Sequence, residues 1–452
     1  MRFSAFTSAS HRAKHGERGQ TMALVALSMF TLIAMAALAI DLTTLYQARG
    51  EMQRAADAAA LAGAKAFVDS TVTNNTADGN RRALANTLVA AYIDPILTQN
   101  AVGGVKPTLV SSAADYTTHP GNPQITVTLQ RTNIPTFFAR IFGRRLATVR
   151  ATAIAEAYNS SLPAGGSGGM PPVAPSCVKP WLIPNVDPGA PTAGTPFIDE
   201  TTGSLRRPGT YPNGAVGEKI TLQNGCFLGV CGIAFTPTGM LKSGALAYFP
   251  AQLASAANGL CPSCVGASDY EQSSACCDTA NSSQYKCGTS GPGLLIDTAA
   301  GLISNTVTSV ECVIGATGTG PNNGQDEIGL GTGAQAPANS FGNFLASNGR
   351  DPIEIRAGSS SFRSGQLTNT SQSIVTVPIF ATSGLAGVLS TLTLHVEGYM
   401  QVFVEETNSP TTSGEIDAYV LNISGCGPNV NTALPAVSGG GTSPVPVRLI
   451  HN

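Results

Sequence analysis

The run from Gln20 to Ile40, QTMALVALSMFTLIAMAALAI, holds 21 residues without a charge. As a helix rising 1.5 Å per residue it is about 31 Å long, which matches the hydrocarbon core of a bilayer. Arg2, Arg12, Lys14 and Arg18 precede it against Glu17 alone, whereas Arg49 and Arg54 follow it with Asp41, Glu51 and Asp57. The positive-inside bias therefore predicts a cytoplasmic N-terminus, with everything after Asp41 outside. A cleaved signal peptide is the rival, since Ala34 to Ala39 offer small-residue cleavage patterns. Its apolar region is usually only about 7–15 residues long, so a retained anchor fits better.

That topology decides how the cysteines are read. All ten lie after residue 176: Cys177, Cys226, Cys231, Cys261, Cys264, Cys276, Cys277, Cys287, Cys312 and Cys426. CPSC at Cys261–Cys264, with Cys276, Cys277 and Cys287, raises a zinc site, because thiolate pairs at short spacing can close a tetrahedron. Outside the cytoplasm the same set reads as disulfides. Cys226 and Cys231 are near enough for a small loop, Cys177, Cys312 and Cys426 need longer closures, and the connectivity stays open. Residues 1–176 carry 15 Lys+Arg against 9 Asp+Glu, and residues 177–452 carry 10 against 18. The acidic outer part speaks against nucleic acid.

No catalytic, cofactor or metal constellation emerges. The five histidines, His11, His15, His119, His395 and His451, have neither ligand nor triad spacing. The G-x-S-x-G at Gly165–Gly169 lies in a Gly/Pro-rich stretch, without the strand and helix that a nucleophile elbow requires. Asp326 and Glu327, in a Gly-rich turn, do not have EF-hand spacing. The reading is a non-enzymatic protein with no cofactor and no small-molecule substrate.

No proline or stop cluster follows Asp41, so the helix is predicted to continue through GEMQRAADAAALAGAKAF (50–67), with Gly50 as a joint. Leu45, Met52 and Ala59 recur every seven residues beside a row of Ala48, Ala55, Ala62 and Ala66. Together they make a small apolar face suited to close packing, and Asp57 reads as an exposed surface charge. NRRALANTLVAAYI (80–93) reads as a second helix stopped by Pro95. QITVTLQR (124–131) alternates as a half-buried strand, IPTFFARIFG starts a helix at Pro135 and ends it at Gly143, and RRLATVRATAIAEAY (144–158) alternates again. Arg140, Arg144, Arg145 and Arg150 invite a lipid-headgroup or nucleic-acid reading; the predicted outside location speaks against nucleic acid, and scattered bases of this kind are commonly a solvated face. Beyond a linker at 160–176, runs such as EKITLQ, PIEIRA, SIVTVPIFA, LSTLTLHVEGYMQVFVEE, EIDAYVLNI and VPVRLI predict a mostly β domain.

The N-terminal residues also carry a resemblance. A glycine-led apolar span ending in aspartate, then a Leu-Tyr pair, an Arg and a Gln-x-Ala-Ala-Asp-Ala-Ala-Ala-Leu-Ala block resembles the TadG-like (TadE/TadG-related) proteins of Flp/Tad pilus assembly. The positions are Gly19, Asp41, Leu45, Tyr46, Arg49, Gln53, Ala55, Ala56, Asp57 and Ala58 to Ala62. The PTFF-type helix followed by an Ala-Thr-Ala strand is similar to the same family. Type IV prepilins, cleaved after such a glycine, carry Glu at the fifth position beyond it, where this chain has Leu24. The von Willebrand A signature Asp-x-Ser-x-Ser, found in some relatives, is missing.

The expected architecture is α+β: a transmembrane helix continuing into an Ala-rich helix packed on a small sheet, then a mostly β, disulfide-bearing extracytoplasmic domain. The expected bounds are 1–18 cytoplasmic tail, 19–41 span, 42–159 small α+β domain, 160–176 linker and 177–452 outer domain. The resemblance implies a bacterial inner-membrane component of a pilus or related secretion apparatus, with the membrane and pilus-assembly or envelope proteins as partners. A membrane-anchored surface adhesin or binding protein is the alternative.

Overall fold

The computed structural model describes all residues except 1–15, 119–121, 144, 162–170, 210–212, 228–229, 232–240, 243–244, 259–267, 288–292, 300–302, 316–325, 330–353, 357–366, 369–370, 384–391, 408–414, 428–433, 435–436, 438–441 and 451–452. Cys261, Cys264, the G-x-S-x-G, Arg144, His11, His15, His119 and His451 lie outside the described residues.

Helix α1, Gly16–Asp69, runs unbroken from the apolar span through the alanine block, and Gly50 does not interrupt it. Helix α2 spans Gly79–Gln99. It passes through Pro95 instead of stopping there. Pro95 and Ala91, whose carbonyl loses its i+4 donor, are both exposed, so water can take that carbonyl, while Ile93 and Leu97 continue the buried row. Strands β1 (Thr108–Asp115), β2 (Gln124–Pro135) and β3 (Leu146–Ala157) follow. β2 buries Ile125, Val127 and Leu129, as its alternation predicts, and β3 buries Val149, Ala151, Ala153 and Ala155. The helix expected from Pro135 is a short 3₁₀ turn, Ala139–Phe142, ended by Gly143 at φ 82°. Pro135 is instead the last residue of β2.

The later strands are β4 (Trp181–Pro184), β5 (Lys219–Asn224), β6 (Cys226–Phe227), β7 (Val230–Cys231), β8 (Leu241–Lys242) and β9 (Ala245–Pro250). Then come β10 (Glu327–Gly329), β11 (Glu354–Arg356), β12 (Leu367–Thr368), β13 (Ile374–Phe380), β14 (Val396–Thr407), β15 (Ile416–Gly425) and β16 (Val447–Ile450). Two short helices, α3 (Asp269–Ala275) and α4 (Ile303–Val313), lie between β9 and β10. The architecture is the α+β mix that the pattern predicts.

By compactness the chain forms two units. One comprises Met1–Ala56, Leu97–Val110 and Thr128–Thr152, the other Asp57–Ile96, Ser111–Val127 and Ala153–Asn452. The division cuts through α1 and through β1, β2 and β3. The small sheet has the order β1-β2-β3-β16, and β16 joins antiparallel to β3 through Val447↔Ala157 to Ile450↔Ile154. The chain's last strand thus completes its first sheet.

Within the second unit six strands pair in a closed ring, β4-β13-β14-β15-β5-β9, and β9 returns to β4 through Leu182↔Phe249. Two of its pairings, β4 with β13 and β5 with β9, are parallel. One strand face gathers Trp181, Ile183, Val377, Val402, Ala418, Leu222 and Tyr248 into a core that also takes Tyr270 of α3 and Val310 of α4. The other face packs Leu182, Phe249, Phe380 and Tyr399 into a second cluster. Burial on both faces explains why IVTVPIF reads as a continuous apolar run rather than an alternation.

A buried polar network holds the α1–α2 connection to this ring. Asn74 Nδ2 donates to Asn422 Oδ1 at 3.0 Å, Asn422 Nδ2 to Gln401 Oε1 at 3.1 Å, and Asn159 Nδ2 to the Thr73 carbonyl at 3.0 Å. Ser424 Oγ pairs with Asn159 Oδ1 at 3.2 Å, and Ser161 Oγ accepts from the Gly425 amide. Gly63 of α1 meets β2 so closely that a Cβ there would lie 2.6 Å from Ile125 Cδ1.

Candidate functional site

The residues that bear on function are those where α1 changes surroundings. Between Gly19 and Leu42 only Ala37 and Asp41 are buried, so the apolar side chains of the run face outward. Its few hydroxyls bond back into the helix: Ser28 to Val25 O at 2.9 Å, Thr31 to Ser28 O at 2.8 Å, and Thr44 to Ile40 O at 2.9 Å. A lipid-facing helix needs its polar groups satisfied internally in this way. This helix is long and apolar enough to cross a membrane.

At the end of the run the pattern switches to a single buried stripe. Ala37, Asp41, Ala48, Met52, Ala55, Ala56, Ala59 and Ala60 are buried, with Gly63 and Ala64 beyond them, whereas Ala62, expected in the stripe, is half-buried. Asp41 belongs to this face. Its carboxylate accepts from the backbone N–H groups of Phe137 at 2.8 Å, Phe138 at 3.0 Å and Ala139 at 2.6 Å. These are the orphan donors that open the 3₁₀ turn, so a side chain from α1 caps the tip of the β2–β3 hairpin. Thr136 N donates to Arg145 O at 3.2 Å and closes the tip.

A second carboxylate repeats the device. Glu51 accepts from the Gly103 amide at 2.6 Å and from Gln47 Nε2 at 3.1 Å. The Gly103 bond, followed by Gln47, holds its pKa below the usual range. Gly103 has φ +52°, and a Cβ there would collide with Arg131 Nη1, whose guanidinium donates to Val102 O. Neither clasp was legible in the sequence. A carboxylate on a helix and a backbone amide far along the chain leave no periodic trace.

The other family positions divide between exposure and packing. Gly19, Tyr46 and Arg49 are exposed, Tyr46 by 66%. Gln53 is exposed and donates to Thr152 O at 3.4 Å. Ala55 and Ala56 are fully buried. Asp57, expected on the surface, is half-buried.

Beyond residue 176 three disulfides are defined: Cys177–Cys277, Cys226–Cys231 and Cys287–Cys426. Cys276 and Cys312 are also disulfide-bonded. Among the described residues no cysteine is free, and no group of three or more His, Cys, Asp or Glu could hold a metal. Asp326 instead accepts from Ser371 Oγ at 2.6 Å. Buried charges cluster around Arg207, whose Nη1 lies 2.8 Å from Asp187 and 3.1 Å from Glu218. One guanidinium serves two carboxylates. Burial, and then the Asp187 charge, push Glu218 up to about 7.

Comparison with known families places a match on the helix just described. Residues 19–66 match the family described as Putative Flp pilus-assembly TadE/G-like. No curated protein and no solved structure matches the chain.

Proposed function

We propose that this chain, which carries a TadE/G-like segment at residues 19–66, is a single-pass, non-enzymatic structural component of a Flp/Tad-type pilus or related secretion apparatus. Its N-terminus lies in the cytoplasm, α1 crosses the inner membrane, and the disulfide-linked ring is held outside. The observation that carries this reading is the coincidence of the family match with one unbroken helix that is apolar and exposed before Asp41 and packed on one face after it. Such a helix transmits position rather than chemistry: it joins an apolar run suited to a bilayer to a face suited to packing.

Two experiments test it. Crosslinking in cells followed by purification of the chain is expected to recover pilus-assembly proteins, and deletion is expected to impair piliation. Recovery of none of them, together with unchanged piliation, would overturn the assignment. A reporter active only in the periplasm, fused after Ser160, is expected to be active. An inactive reporter would reverse the orientation.

A further inference from the structure

The Asp41 clasp has a geometric consequence. It fixes the hairpin tip at the level where the apolar span ends, because the amides of Phe137, Phe138 and Ala139 are bonded to a carboxylate on the last turn of that span. At this level Phe137 is 58% exposed and Leu146, on the strand leaving the tip, 57%. Arg140 and Arg145 are exposed beside them. Between Thr136 and Arg150 the chain has no acidic residue.

We propose that this tip is a second membrane contact. Phe137 enters the boundary between headgroups and acyl chains in the leaflet where the apolar run of α1 ends at Asp41, and Arg140 and Arg145 meet the phosphates of anionic phospholipids. An exposed aromatic flanked by arginines is the composition of an interfacial segment, with the ring at the apolar boundary and the cations in the headgroups. Continuity with the apolar span identifies the occupant, because lipid around Ile40 and Leu42, both exposed, is adjacent to whatever is bonded to Asp41. The tip is also held without help from lipid. Thr136 to Arg145, Gly143 N to Arg140 O at 3.0 Å and the left-handed Gly143 define it, so an aromatic can be presented outward at little entropic cost.

The inference rests on α1 being a membrane anchor, so the test carries its own control. The full chain is reconstituted in vesicles containing phosphatidylglycerol, as Phe137→Trp and, separately, as Phe30→Trp in the span; the sole native tryptophan, Trp181, is buried. Lipids brominated near the headgroup are expected to quench the Phe137→Trp emission more than lipids brominated at the chain ends. The Phe30→Trp emission is expected to show the reverse order. Quenching of Phe30→Trp with none of Phe137→Trp beyond the wild-type signal overturns the second contact and leaves the anchor intact. Quenching of neither overturns both. A Phe137→Trp emission shielded from aqueous iodide but untouched by brominated lipid means that protein covers the tip, and this too refutes the proposal. Adding Arg140→Gln and Arg145→Gln is expected to lower lipid occupancy of the tip by about fivefold per charge in anionic vesicles and hardly at all in phosphatidylcholine. Equal quenching in both lipids with the arginines present would overturn the anionic-lipid assignment.

Discussion

The three defined disulfides close loops of very different length, and that difference sets an order of stability losses. Sequence separations are 5 for Cys226–Cys231, 100 for Cys177–Cys277 and 139 for Cys287–Cys426. In the chain-entropy account, cross-linking removes about 2.1 + 1.5R ln n cal/mol/K from the unfolded ensemble, or roughly 2, 4.7 and 5.0 kcal/mol at about 25 °C. Replacing both cysteines of a pair by alanine is therefore expected to cost least at Cys226/Cys231, about 2 kcal/mol, and more than twice as much at either other pair. The two long loops differ too little to be ranked. Guanidinium unfolding of the full chain in nanodiscs can be followed through Trp181, the sole tryptophan, which is buried in β4. The long-loop variants should also show a steeper denaturant dependence, since their unfolded chains expand more. A long-loop variant that fails to fold while the Cys226/Cys231 variant remains folded gives the same order. Equal losses at all three pairs, or the largest at Cys226/Cys231, would refute the entropic reasoning and place the stabilisation in native contacts.

Other perturbations probe the remaining devices. Glu218, raised from its usual 4.5 to about 7, binds a proton more readily folded than unfolded, so its contribution to stability is complete below about 4.5 and is lost as pH rises through about 7. Glu218→Gln is expected to reduce that fall in a pH series of denaturation midpoints; Glu397, raised to about 7 by burial and then by Glu200, and Asp187, raised by burial, contribute to the slope that remains. Asn422→Leu removes the Asn422 donor from the buried Gln401 Oε1 and leaves Asn74 Nδ2 with only the longer bond to Thr71 O at 3.5 Å, at roughly 1–3 kcal/mol for a buried polar group that loses its partner. Adding Asn74→Leu should then cost less than the sum of the single variants, and additive losses would show that the network is not coupled. Asp41→Ala should abolish hydrogen-exchange protection of the amides at 137–139 without changing that of Ile125 or Val127 in β2, and retained protection at 137–139 would remove the clasp from the account.

What the sequence displays and what it hides follow the range of the interaction. The helical continuation of the apolar run and the strands β2 and β3 are written in local periodicity, and β13, β14 and β15 in β-rich apolar runs bounded by turn residues, both signals that lie within one element. Ring closure is not, because β4 and β9 are short and their pairings join distant segments, two of them parallel. Pro95 misled because a helix can pass through a proline where the freed carbonyl is open to water, as at the exposed Ala91. Pro135 misled because a fixed φ suits the last residue of a strand as well as a first helical turn. The acid that ends the span was legible as a boundary. Its three amide partners were not, since they lie nearly a hundred residues away.

Asp41 marks the point where an exposed apolar run and a packed face meet within one unbroken helix. Before it, α1 is solvated by whatever surrounds an apolar rod, and any rotation about its axis is equivalent. After it, only the stripe through Ala48, Met52, Ala55 and Ala56 is buried, so rotation is fixed. The change of regime needs a residue that cannot slide into hydrocarbon and that is held from one side. An ionised carboxylate meets the first condition through its solvation cost, and three backbone donors from one direction meet the second. A lysine at this position would satisfy the first condition alone, because it has no acceptor for those amides. The alanines that follow are then small for a reason set at Asp41: once the helix is fixed in rotation and depth, close approach along the stripe requires side chains that stay out of the way, down to Gly63, where even a Cβ would meet Ile125.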